Sequence, residues 1–302
     1  MELYPGFHLI HAPFEGNRYI NLVLLRGETS LLVDSGVAGV PQKVILPYFK
    51  AWGIHPTELK LLINLHAHAD HIGGNGELRA ATQGQLKIGA HELDAPAIAN
   101  HLICAHEIYG LEDESHIQTL LRRCGQETPV ELVFKGGEIL PLGEFEIQII
   151  HAPGHTKGNL SLYERRRHLL IHGESIMGPS RANAKGKRNT PFGPDPSIYR
   201  GTLLRLQKIP FEGLISSHQP PKSRKEGLIL IQQSLTALDE FESMCRQVLQ
   251  KGAKSPQEMA QTVSQEGNYE LSKLLLTQAS NLLANWVASG QVVHSKGRYQ
   301  LA

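Results

Sequence analysis

The sequence predicts an α/β protein: a large domain of short strands, interrupted by a helical insertion and followed by a small, mainly helical appendix. Three observations carry this. Short apolar runs separated by turn-forming residues fill most of the chain up to about residue 222. The strand pattern lapses over residues 91–124, where apolar residues fall at helical spacing. From residue 223 no strand pattern returns until the last dozen residues. With 29 Gly and 17 Pro in 302 residues, turns are plentiful.

Residues 7–12, 19–25 and 30–34 read as strands, parted by the turns Glu15-Gly16-Asn17 and Arg26-Gly27-Glu28. Residues 41–53 read as a helix, with Val44, Ile45, Tyr48 and Phe49 on one stripe and Pro41 near its start. Residues 60–64 form a buried strand running straight into LHAHADHIGG, and 85–89 form another. Over 91–124, Leu102, Ile103, Ile108, Ile117, Leu120 and Leu121 predict two or three inserted helices. Strands return at 131–134, 145–150, 159–163 and 168–172, with Pro141 and Gly143 at a hairpin turn. A polar loop at 178–197, a helix at 197–208 and a strand at 213–217 complete the large domain, placed at residues 1–222. In 223–302, a long helix (223–251), two further helices (255–263 and 269–290) and a hairpin at Ser295-Lys296-Gly297 follow the winged-helix order.

Composition narrows the function. Apolar residues make up 41% and charged residues 20%, which excludes a disordered chain. Thirty basic against 29 acidic residues leave a net charge of +1, too little for a global attraction to nucleic acid or acidic membrane. No run approaches the ~18 apolar residues of a spanning helix. The N-terminus lacks the basic-then-apolar order of a signal peptide. Cys104, Cys124 and Cys245 show no zinc-like spacing and read as reduced thiols. The expectation is a cytoplasmic protein with a small-molecule substrate and no membrane partner, for which a homodimer is compatible.

The 16 histidines against six aspartates point to metal chemistry, and the strongest motif is His66-Ala67-His68-Ala69-Asp70-His71. It follows a strand and precedes Gly73-Gly74 and a helix start. On such a turn, alternate side chains can face two centres, and the helix start favours anions.

This motif resembles the HxHxDH signature of the metallo-β-lactamase superfamily, and other positions extend the resemblance over roughly residues 5–220. Asp34 ends an early strand in Leu-Val-Asp-Ser-Gly. His155 lies in His-Ala-Pro-Gly-His-Thr-Lys-Gly. His218 follows Ser216-Ser217. One position departs from the pattern: where the family has Asp after a strand and Gly, this chain has Glu174 after Gly173. Glutamate reaches about 1.5 Å further.

The resemblance implies an αββα sandwich of two mixed sheets. It implies one metal on His66, His68 and His155, and another on Asp70, His71 and His218, with Glu174 between them. If Glu174 does not bridge, a single metal is expected. Asp34 orients the site histidines from outside the ligand set, while His151 and His172 read as structural. Two cations would lower the pKa of a bridging water until hydroxide attacks at neutral pH, with Asp70 orienting it. Zinc leads, and iron or manganese also suit the all-N/O set.

The PGHT turn and spacing look most like the glyoxalase-II-like hydrolases, implying a thioester or ester substrate. Ile98, Leu102, Ile103, Ile108, Tyr109 and Leu111 of the insertion are candidates for an apolar pocket wall, or simply for the insertion's own inner face. Arg181, Lys185, Lys187 and Arg188 form a basic loop, either a phosphate clamp or a solvated turn. Two alternatives stand beside the thioesterase. One is an endoribonuclease of the winged-helix-bearing branch, although residues 251–302 carry only five basic against three acidic residues. The other is a non-catalytic, ligand-binding regulator.

Overall fold

Seven strands from the first 134 residues form one sheet whose spatial order is the chain order: β1 (Glu2–Tyr4), β2 (Phe7–Pro13), β3 (Tyr19–Leu25), β4 (Ser30–Val33), β5 (Leu59–Ile63), β6 (Lys87–His91) and β7 (Leu132–Phe134). The first four pair antiparallel, and β4 through β7 run parallel. A second sheet holds β8 (Ile139–Pro141), β9 (Glu146–His151), β10 (Leu160–Glu164), β11 (Leu169–His172), β12 (Gly213–Ser216) and β13 (Lys222–Ser223), in the reverse of chain order. Its one parallel pair is β11–β12. Both sheets are mixed, as the resemblance implies. This computed structural model describes residues 1–190 and 192–302; Pro191, inside the loop expected at 178–197, lies outside the described residues.

Strand alternation explains the apolar runs. Val23 and Leu25 of β3 face the second sheet, packing in one core with Ile147, Ile149, Leu160, Leu162 and Ile171. Ile20, Leu22 and Leu24 point the other way, toward Ile45, Phe49 and Leu78. Those partners sit on a π-helical turn (Pro41–Ile45), on α1 (Leu46–Ala51) and on α3 (Asn75–Ala81), which follows the short α2 (Ala69–Ile72). A strand buried on both faces has no polar side, so residues 19–25 read as continuous apolar sequence. Each such Leu or Ile contributes roughly 1.5–3 kcal/mol.

The insertion forms α4 (Ala95–Ala99), α5 (His101–Ile103), a π-helical turn (Cys104–Ile108) and α6 (Glu114–Cys124). Asn100 and Asp113 accept backbone N–H groups at the starts of α5 and α6. Its apolar stripe is spent largely on the metal-motif loop: Ile98, Cys104, Ala105, Ile117, Leu120 and Cys124 bury with Ala67, Ala69 and Ile72. Ile98 is therefore core. Ile103, Ile108, Tyr109 and Leu111 pack partly against the same cluster, and Leu102 is exposed.

The chain divides into two compact units. The first holds both sheets and comprises residues 1–152, 156–174 and 210–224; the second comprises 153–155, 175–209 and 225–302. In the second unit, α7 (Pro196–Leu206) starts at the Asp195 cap. The long α8 (Arg224–Gln250) lies in this unit from Lys225 on. α9 (Pro256–Glu266) begins with a Ser255/Glu258 capping box, and α10 (Lys273–Ala288) with Ser272. A hairpin of β14 (Val292–Ser295) and β15 (Arg298–Leu301) ends the chain. Its turn residues Lys296 and Gly297 both have positive φ (52° and 75°), which glycine takes without a steric cost. Within the basic loop, Ala182 pairs with Arg188. Arg188 binds Glu240 and lies over the Tyr269 ring, so it is a structural cation. Among the described residues, no helix is long and apolar enough to cross a membrane.

Candidate metal centre

The motif loop leaves β5 at Ile63 and is fixed by buried amides before any ligand is placed. The His71 carbonyl accepts from Ser35 N at 2.8 Å and from Asn64 Nδ2 at 2.9 Å. The Asn64 Oδ1 in turn accepts from Asn75 Nδ2 at 2.8 Å. Asp34 follows β4 with φ +62°, a left-handed conformation that Asp tolerates better than most residues. Its Oδ1 accepts from Leu65 N at 2.8 Å, and its Oδ2 lies 2.7 Å from His71 Nδ1. That contact makes Nδ1 the protonated nitrogen and leaves Nε2 for the site. His218 is oriented the same way, its Nδ1 donating to the Tyr19 carbonyl at 2.7 Å.

Within the first unit the donor atoms converge. His66 Nε2 and His68 Nδ1 are 2.9 Å apart. Glu174 Oε1 is 3.0 Å from His218 Nε2, while its Oε2 is 3.4 Å from His71 Nε2 and 3.7 Å from His66 Nε2. Asp70 Oδ2 is 3.5 Å from His218 Nε2. Asp70, His71, Glu174 and His218 offer donor atoms that all lie within 4.8 Å of one another. Donors about 2.0–2.2 Å from a shared tetrahedral cation stand roughly 3.3–3.6 Å apart, so these separations suit one. Two of these atoms, His71 Nε2 and Glu174 Oε2, are buried and form no hydrogen bond among the described residues. Buried polar atoms normally have partners, and a cation would supply one.

Electrostatics agree. Burial pushes the Glu174 carboxyl up, but the charges of His66 and His71 overcome it and hold the group well below the usual carboxylate range. Burial alone would lower His71, yet Asp34 and Glu174 raise it well above its ordinary value. His68 is lowered, chiefly by burial. The charge that Glu174 and Asp34 draw onto imidazole is charge that a divalent cation can supply instead, displacing the protons.

The remaining sequence expectations fall as follows. Glu174 leaves β11 with both carboxylate oxygens facing imidazoles. Gly173 passes so close that a Cβ there would lie 3.4 Å from His66 Nδ1. His172 is fully buried and makes no ring hydrogen bond among the described residues, and burial lowers its pKa to about 4. His151 Nε2 meets the Lys157 carbonyl at 2.8 Å. His155 belongs to the second unit, on a turn held there by Thr202, which donates to the Pro153 carbonyl, and by Gly193 packed under Gly154 and His155. Sequence reasoning missed Asp94, fully buried, whose Oδ2 accepts from Ala67 N at 3.1 Å and Thr156 Oγ1 at 2.7 Å, and whose Oδ1 accepts from Gly158 N at 2.7 Å. It also missed Asn64 and the hydroxyl of Tyr109.

The chain is 23% identical over 223 residues to a human acyl-coenzyme A thioesterase, MBLAC2, covering 68% of this chain and 74% of that protein. It is 29% identical over 171 residues to a hydroxyacylglutathione hydrolase of Cereibacter sphaeroides, covering 56% of this chain and about half (52%) of that protein. A solved metallo-beta-lactamase family protein from Thermus thermophilus shares the fold with a TM-score of 0.68 at 18% identity, covering 99% of this chain and 100% of that one. The sequence profile of the metallo-beta-lactamase superfamily matches residues 16–212, spanning the motif from Asp34 to Glu174, and the chain belongs to that superfamily of metallo-hydrolases.

Proposed function

We propose that this protein is a metal-dependent thioester hydrolase working with two divalent cations, zinc first among the candidates. The observation that carries the reading is the reach of Glu174. One of its oxygens lies 3.0 Å from His218 and the other 3.7 Å from His66, donors assigned below to different cations, so the longer side chain can serve as the bridging carboxylate. In this assignment His66, His68 and His155 hold one cation, Asp70, His71 and His218 hold the other, and Glu174 reaches both. Bound cations would supply an acidified water and a Lewis acid for the acyl carbonyl.

The chain's own groups do the rest. Asp34 keeps a proton on His71 Nδ1, and the Tyr19 carbonyl keeps one on His218 Nδ1, so both Nε2 lone pairs face the site. Asp70, within 3.5 Å of His218 Nε2, would also orient the attacking water. A departing thiolate is stable at neutral pH and needs little acid assistance.

The two named relatives support a thioester, since coenzyme A and glutathione are both thiol carriers. The ribonuclease reading draws no support from the C-terminal segment. Although α9, α10 and the hairpin follow the winged-helix order, Trp286 is only 4% exposed and is not a stacking platform for bases.

The test is a panel of acyl-coenzyme A, acylglutathione, simple ester, lactone and phosphodiester substrates, run on protein of measured metal content. Thioester turnover that disappears on chelation and returns with zinc is expected. Metal-loaded protein that cleaves phosphodiesters and leaves every thioester intact would overturn the proposal.

A further inference from the structure

The ligands His66, His68 and Asp70 alternate with two alanines, and the insertion grips the main chain at both. Ala67 N–H donates to Asp94 Oδ2 at 3.1 Å, and the Ala67 carbonyl accepts from Cys104 Sγ at 3.1 Å. Ala69 N–H donates to the Tyr109 hydroxyl oxygen at 2.9 Å. That last N–H opens α2, whose preceding residue His68 offers no side-chain cap, so Tyr109 satisfies a donor that the helix start leaves orphaned. The Tyr109 ring also lies against the His68 imidazole, with centroids 4.7 Å apart. Asp94 reaches further still, binding Thr156 and Gly158, the turn that directly follows His155. Gly158 is glycine for a steric reason, since a Cβ there would lie 2.6 Å from Asp94 Oδ1.

We propose that Asp94, Cys104 and Tyr109 are positioning residues, a clamp supplied by the insertion that fixes the main chain of His66–Asp70 so that its ligands converge before any cation arrives. The inference rests on the metal-centre reading above and adds a role for the insertion: it acts from behind the ligand loop, instead of serving only as a wall in front of it. Without the clamp, ordering the loop would be charged against the binding of the cation. None of the three residues ligates, so their effect is on affinity and order, with the ligand set intact.

The experiment uses full-length protein and zinc as the probe, in competition with a chromophoric chelator. Tyr109→Phe, which removes one oxygen, is expected to weaken zinc binding by about 10–100-fold, the usual cost of losing a partner behind the ligands. Cys104→Ala is expected to do the same, with Cys104→Ser restoring much of the loss because a hydroxyl still donates to the Ala67 carbonyl. In metal-stripped protein, amide exchange at Ala69 should speed up about tenfold in Tyr109→Phe, a readout independent of metal and of activity. Asp94→Asn should be the most severe; if it fails to fold, the other variants decide the matter. Wild type binding zinc with Tyr109→Phe and Cys104→Ala indistinguishable from it would overturn the clamp and leave the metal centre standing. Wild type binding no zinc would remove the metal centre and the clamp with it.

Discussion

Asp34 Oδ2 lies 2.7 Å from His71 Nδ1, both groups fully buried, across 37 residues of sequence. The pairing needs the left-handed backbone at Asp34, which turns the carboxylate off the end of β4 and toward the loop after β5. One carboxylate therefore sets both the backbone at Leu65 and the tautomer of His71. Asp34→Ala should leave that imidazole free to rotate and to protonate either nitrogen. Metal affinity at the position served by His71 should fall by about 10–100-fold, measured by chelator competition. Unchanged affinity would show that the Asn64 and Ser35 contacts alone place His71.

His68 tests the chemistry itself. Its Nδ1 stands 2.9 Å from His66 Nε2, so the two rings share a focus. His68→Ala should abolish thioester turnover while circular dichroism shows the fold retained, because the core between the two sheets does not involve His68. Wild-type turnover in this variant would contradict a metal-dependent mechanism.

Glu174 decides the stoichiometry. With one oxygen facing His218 and the other within 3.7 Å of His66, a bridging Glu174 should give two equivalents of divalent metal per chain by elemental analysis. Glu174→Ala should reduce this to one equivalent. Two equivalents retained in the variant would mean that the remaining donors suffice and that Glu174 only hydrogen-bonds beside them.

Much of the fold and site was legible because both write themselves locally. Strand β3 falls at 19–25 as its doubly buried apolar run demands, and the His66–His71 motif is contiguous. Glu174 could be singled out because it follows a strand and a glycine at the right place, even as a departure. Asp94 could not. It lies three residues past β6 in an ordinary-looking Leu-Asp-Ala-Pro, and its meaning comes from Ala67, 27 residues earlier, and Gly158, 64 residues later. For Tyr109 the sequence offers a pocket wall or the insertion's own inner face, because helical spacing reports a side chain's face and says nothing of where its hydroxyl ends. Pairing at that range is a property of the sheet order, which periodicity does not encode.

Acid should destabilise the protein through histidines remote from the ligand set. Burial, the main cause in each case, lowers the pKa of His8, His91 and His101, with Glu127 partly offsetting it at His101. Each stays neutral in the folded chain at pH values where the unfolded chain, titrating near 6.5, takes up a proton. The unfolded state then binds more protons, so stability is complete above about pH 6.5 and is lost as pH falls through the depressed folded value. The slope per histidine is at most about 1.4 kcal/mol per pH unit. His71 and His218 are raised and act with the opposite sign, so a bare pH–stability curve mixes both. His101→Gln separates them, since distant sites contribute additively. In chelator-treated protein, the wild-type urea midpoint should drop more steeply than that of His101→Gln between pH 7.5 and 5.5. Parallel curves would mean that His101 takes up its proton without opening the fold.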